Sequence, residues 1–136
     1  MGAWAPRPEQ LAAADLMDDP DALNGWFATL NDQVSTRLNT LYAGVAALRA
    51  EGLPVDAIAP QGGIFLSFRV DLVGRGFDSN EAIRRWLLDA AGVAVVPFQA
   101  FDMPEDSGWF RMSVGAVGMD DIRGALERLG AALRTL

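Results

Sequence analysis

The 136-residue chain contains no cysteine, no histidine and no lysine, and only one tyrosine. Each absence removes a class of chemistry. Without cysteine there is no disulfide and no thiolate metal site. Without histidine or cysteine there is no Ser–His or Cys–His nucleophile pair and no imidazole-based metal centre, so no metal site is expected. Without lysine, no Schiff base with a carbonyl substrate or cofactor can form on a side chain of this sequence. Long apolar runs are missing too: none approaches the ~18 residues of a membrane span, and no charged-then-apolar leader opens the chain, so a cytoplasmic location is expected. Basic clusters are equally lacking, and with a net charge of −7 nothing here suits a nucleic-acid backbone. A carboxylate pair for glycoside chemistry is still possible in principle, but the acids fall mostly in turns and on helix faces.

What the chain does have is apolar residues, 51% of the total, enough for one domain with apolar surface to spare for a partner. All eleven cations are arginine, which a GC-rich coding bias explains as well as any function. Prolines at 6 and 8 open a first helix that ends near Met17. Asp19 or Asp21 then caps a much longer one, whose apolar residues Leu23, Phe27, Leu30, Val34, Leu38, Leu41, Val45 and Leu48 recur by threes and fours. It stops at Gly52-Leu53-Pro54 and spans roughly 40 Å at the α-helical rise, as a core element or as a strut between domains.

After Gln61-Gly62-Gly63 the sequence alternates: Ile64, Leu66, Phe68 and Val70 against Phe65, Ser67, Arg69 and Asp71, the period of a strand. Adjacent glycines there serve a tight turn or let backbone approach a ligand. A capped helix follows Asp78-Ser79-Asn80-Glu81 and ends at Gly92. Val93 to Pro97 reads as an apolar strand buried on both faces, Phe98 to Ser107 as an irregular loop, and Trp109 to Ser113 as a last strand. A closing helix carries Ile122, Leu126, Leu129 and Leu133 on one face. The class is α+β: a small antiparallel or mixed sheet of about three strands covered by helices, with a long N-terminal helix. Residues 1–52 form the helical segment and 53–136 the α+β domain, together one compact unit.

Arg111 stands out in the last strand. It shares a face with Trp109 and Ser113, while Phe110, Met112 and Val114 form the core face. From the pattern alone it is either a surface cation paired with Glu105 or Asp106, or a fork for a ligand carboxylate.

The order of the motifs supplies a resemblance. Pro60-Gln61-Gly62-Gly63-Ile64-Phe65-Leu66, then Gly92-Val93-Ala94-Val95-Val96-Pro97 with Phe101, then Trp109-Phe110-Arg111-Met112-Ser113, and the closing helix resemble, in that order, the C-terminal portion of class I/II pyridoxal-phosphate aminotransferases of fold type I, mainly their small domain. The long helix is similar to the one linking their two domains. The resemblance implies that Arg111 binds the α-carboxylate of an amino-acid or 2-oxo-acid substrate and that Gly63, with Gly62, lines the substrate channel. It departs from the family at Phe98 and Asp102, where glycines are usual. It also implies pyridoxal 5'-phosphate in a full-length parent, with the cofactor's lysine upstream. This chain alone is therefore expected to be a fragment that binds no cofactor, has no catalytic residue and does not transaminate. A missing large domain is then its partner, and surface once covered by it, around Trp4, Trp26 and Phe27, is expected to favour a homodimer or other self-association. The competing possibilities are a stand-alone small-carboxylate or amino-acid-binding module and a self-associating interaction domain.

Overall fold

The computed structural model describes residues 5–136; Trp4 lies outside them. The described residues fall into two units, up to Gln33 and from Val34 onwards. The division lies inside the long helix.

The first unit contains α1 (Arg7–Met17) and the start of α2 (Pro20–Ala50). Pro8 sits in the first turn of α1, where a missing N–H leaves no hydrogen bond unmade. The Asp19 carboxylate accepts the Ala22 N–H at 3.1 Å, so Asp19 is the residue that caps α2. No residue of α1 is buried, and Trp26, Phe27 and Leu30 of α2 are exposed.

The second unit is a sheet with helices over one face. The rest of α2 turns its apolar stripe inward at Leu38, Leu41, Val45 and Leu48. It ends in a Schellman motif: Leu53 N–H donates to Leu48 C=O and Gly52 N–H to Arg49 C=O, with Gly52 at φ +88°. Four antiparallel strands follow, β1 (Val55–Ala57), β2 (Phe65–Val70), β3 (Val96–Pro97) and β4 (Trp109–Ser113), in the order β1-β2-β4-β3. The α+β class and its helical cover stand as the sequence indicates. β1 is an addition to the three expected strands; at three residues it is too short to show a period.

Val93–Pro97 is not a strand buried on both faces. Val93 and Val95 are buried while Ala94 and Val96 are exposed, and only Val96 and Pro97 pair with β4. The segment lies at a sheet edge, where one flank has no strand neighbour and a proline without N–H is tolerated.

Between β2 and β3, α3 (Asn80–Ala91) is capped by the Ser79 hydroxyl, which accepts the Ala82 N–H, and stopped by Gly92 in the left-handed conformation. α4 (Met119–Leu133) closes the unit, and the Asp121 carboxylate accepts the Gly118 N–H at its start. The core joins Leu66, Phe68, Phe110 and Val114 of the sheet region, all with no exposed surface, to Val45, Ile83, Leu87 and Leu129 of the helices. Truncating a buried phenylalanine such as Phe68 to alanine costs about 3–5 kcal/mol, so these residues dominate the unit's stability.

Candidate functional site

The alternation that buries Phe110 and Met112 sends Arg111 to the sheet face opposite the helices. Register completes that face. Arg111 pairs with Ser67 on β2 and with Val96 on β3, Phe65 pairs with Ser113, and Arg69 with Trp109. Directly opposed residues of an antiparallel pair point the same way, so these side chains form one surface. It is open: Phe65 and Val96 are 42% and 39% exposed.

The segment from β3 to β4 brings more aromatic residues to it. Phe98–Phe101 is a 3-10 turn, ended by Asp102 at φ +62°, and Phe98 stacks on Trp109 with ring centroids 6.2 Å apart. Phe101 packs edge-on against Phe98. The Arg111 guanidinium carbon then lies 4.1 Å from the ring centroid of Phe65 and 4.0 Å from that of Phe101. The two rings come from opposite sides of β4, one from β2 and one from the turn that follows β3. Such cation–π contacts hold a guanidinium over its flat faces and leave its N–H edge free for a planar acceptor.

Among the described residues Arg111 has neither an ion pair nor a hydrogen-bond partner for its guanidinium. The pairing with Glu105 or Asp106 does not form. Asp106 instead accepts the Asn80 N–H at 2.7 Å and the Gln99 side-chain amide at 2.8 Å, and Glu105 gives Gln99 a backbone carbonyl. Arg69, the other cation of this face, is engaged within the chain: it donates to the Asp71 carboxylate at 2.9 Å, which Arg75 also pairs with at 3.4 Å, and to Ser107 C=O.

Asn80 organises the loop. It is fully buried, its amide donates to Gln99 Oε1 at 2.9 Å, and its carbonyl accepts the Gly108 N–H at 2.7 Å. Gly108 can be nothing larger, since its φ is +76° and a Cβ there would lie 2.4 Å from Val70 C=O. Gly63 also has a positive φ, +69°, but a Cβ on it would meet nothing within 4 Å. It serves backbone conformation at the start of β2, two residues before Phe65, and is not a close approach to other atoms of the chain.

A separate cavity of about 460 Å³ lies on the helix side, lined by Leu41, Val93, Met112, Ile122 and Arg128 among others. It excludes Arg111, and its polar groups are engaged: Arg128 donates to Ala91 C=O and Asp121 caps α4. No cluster of acids among the described residues is arranged to hold a metal ion, and no helix among them is long and apolar enough to cross a membrane.

The sequence singles out Arg111, and Phe101 only as part of a motif, but does not show that rings hold the arginine. The available signal was Phe65, a phenylalanine on the outward-facing half of an alternating strand. Asn80 left no signal beyond its place beside a cap.

Comparison with known proteins gives a consistent picture. The sequence model of the family described as aminotransferase class I and II matches residues 2–129. No curated protein matches the chain. Among solved structures, the aspartate aminotransferase of Rhizobium meliloti is 26% identical with a TM-score of 0.63, over 76% of this chain and 26% of that one. The aspartate aminotransferase of Thermus thermophilus, solved with maleate, is 25% identical with a TM-score of 0.70, over 85% and 27%. LysN, an alpha-aminoadipate aminotransferase also from Thermus thermophilus and complexed with N-(5'-phosphopyridoxyl)-L-leucine, shares the fold at 20% identity and a TM-score of 0.68, over 85% and 28%. The chain thus spans about a quarter of the length of the solved structures it matches.

Proposed function

The chain belongs to the class I and II aminotransferases, and from that premise we propose that it forms the C-terminal, small-domain part of a pyridoxal-phosphate-dependent enzyme that moves an amino group between an amino acid and a 2-oxo acid. Residues 53–136 are the small domain in this reading, and α2 is the helix that links it to a large domain. Arg111 binds the substrate α-carboxylate. The observation that carries the assignment is its environment: a permanently charged fork, held by two rings on an open sheet face, with no acid among the described residues satisfying it. Two parallel N–H···O bonds from such a fork fix the plane of a carboxylate and so orient the α-carbon beside it. Gly63 contributes the turn that presents Phe65 to Arg111.

The family implies pyridoxal phosphate in the whole enzyme, where it supplies the electron sink for chemistry at the α-carbon. The residues of this chain do not fit it. The cofactor's carbonyl carbon needs an amine, and there is no lysine to provide one. The chain by itself is therefore inactive, and the cofactor belongs to the part of a family-length enzyme that it does not span.

Two measurements test this. In NMR titrations with acetate and pyruvate, the Arg111 Nε–H resonance should shift on saturation, and Arg111→Lys should weaken binding by about tenfold or more, because lysine keeps the charge but loses the fork. Unchanged affinity would remove Arg111 from the role. Pyridoxal phosphate followed by borohydride should label only the N-terminal amine; an internal labelled residue would contradict the account.

A second reading, self-association through the exposed Trp26, Phe27 and Leu30, is favoured by their contiguity on one helix. Homodimerisation belongs to it, and it is compatible with the first.

A further inference from the structure

We propose that the part of the site built by this chain selects acids with an apolar or aromatic side chain over dicarboxylic acids. The inference rests on the reading of Arg111 as the carboxylate-binding residue and goes on to name the class of substrate.

A dicarboxylate needs two cations, or one cation and several free donors, because its second carboxylate loses water on binding and requires compensation. The open sheet face holds two arginines. Arg111 has no ion-pair partner among the described residues, whereas Arg69 already donates to Asp71, a carboxylate it shares with Arg75, and to Ser107 C=O. The loop that supplies the Phe101 ring carries negative charge, at Asp102 directly after it and at Glu105, both exposed. A second carboxylate reaching towards that loop meets like charge. What the face offers beyond the Arg111 fork is apolar: Phe65, Val96 and Phe101, each about two-fifths exposed, with the Phe98–Trp109 stack beside them. Rings already within 4.1 Å of the guanidinium place apolar surface next to the point where the carboxylate docks. An acid whose side chain covers those rings removes apolar area from water on both partners.

The test uses the intact 136-residue chain with two probes of similar length, 3-phenylpropanoate and glutarate, titrated by NMR at the Arg111 Nε–H and Trp109 indole N–H. The expected result is at least about tenfold tighter binding of 3-phenylpropanoate. In Phe101→Ala, an exposed substitution that leaves the core untouched, the preference should fall towards equality while both acids still shift Arg111. Glutarate binding as tightly as or more tightly than 3-phenylpropanoate, with both lost in Arg111→Gln, overturns the selectivity and leaves the carboxylate role of Arg111 standing. Binding of either acid that is indifferent to Arg111→Gln, or no binding of either, overturns that role and the selectivity with it. Circular dichroism on each variant separates loss of binding from loss of fold.

Discussion

Two side chains define the site at the scale of single residues, and they work in opposite ways. Among the described residues Arg111 leaves its hydrogen-bonding edge unused, whereas Asn80 engages both polar atoms of its side chain. The Asn80 carbonyl is the partner of the buried Gly108 N–H and its amide ties Gln99 to α3. Asn80→Ala leaves that N–H without an acceptor in a place water does not reach, and should lower stability by about 2–3 kcal/mol, read from urea unfolding. The same variant should loosen the Phe98–Phe101 turn and broaden the Trp109 indole resonance. The direction of Arg111 was legible in the sequence, because Phe110, Met112 and Val114 can only be the inward set of a strand. The role of Asn80 was not. Beside Ser79 it reads as part of a helix cap, and its partners at 99, 106 and 108 are brought to it only by the tertiary fold.

Among the elements, α3 carries the clearest dependence on pH. Arg84 and Arg85 both donate to the Glu81 carboxylate, Arg84 through two bonds, and together they hold its pKa down from the ordinary 4.5 to about 2. A carboxyl whose pKa is depressed on folding stabilises the folded state above its unfolded pKa and loses that contribution as pH falls through the folded value. Wild type should therefore melt above Glu81→Gln at pH 6, and the two curves should draw together between pH 4.5 and about 2. The group is exposed, so the gap is small and should shrink further in high salt. Curves that stay parallel down to pH 2 would show that the ion pairs do not act on folding. The helices, their caps and β2 and β4 followed from periodicity and turn chemistry. β3 did not, because a run of five apolar residues looks the same whether it is a central strand or an edge with alternating burial. Only the strand order decides that.

For the whole molecule, the spacing of apolar residues along α2 continues unbroken from Leu23 to Leu48, yet full burial begins only at Leu38, with Val34 partly buried against the core before it. Periodicity reports an apolar stripe and cannot say what covers each part of it, so the division between Gln33 and Val34 was not legible. Trp26, Phe27 and Leu30 leave the front of that stripe open to water. The chain should therefore show a mass above that of a monomer in light scattering, rising with concentration, and Trp26→Ser with Phe27→Ser should return it towards the monomer. A constant monomer mass from micromolar to millimolar protein would show that the stripe is tolerated in water.

The pair of rings around Arg111 has a bearing on entropy. A free arginine side chain has about 2 kcal/mol of rotamer freedom to lose when an anion arrests it. Here Phe65 and Phe101 hold it beforehand, and no ion pair among the described residues includes it. In the carboxylate-binding role proposed for Arg111, such pre-organisation would lower the ordering cost of binding.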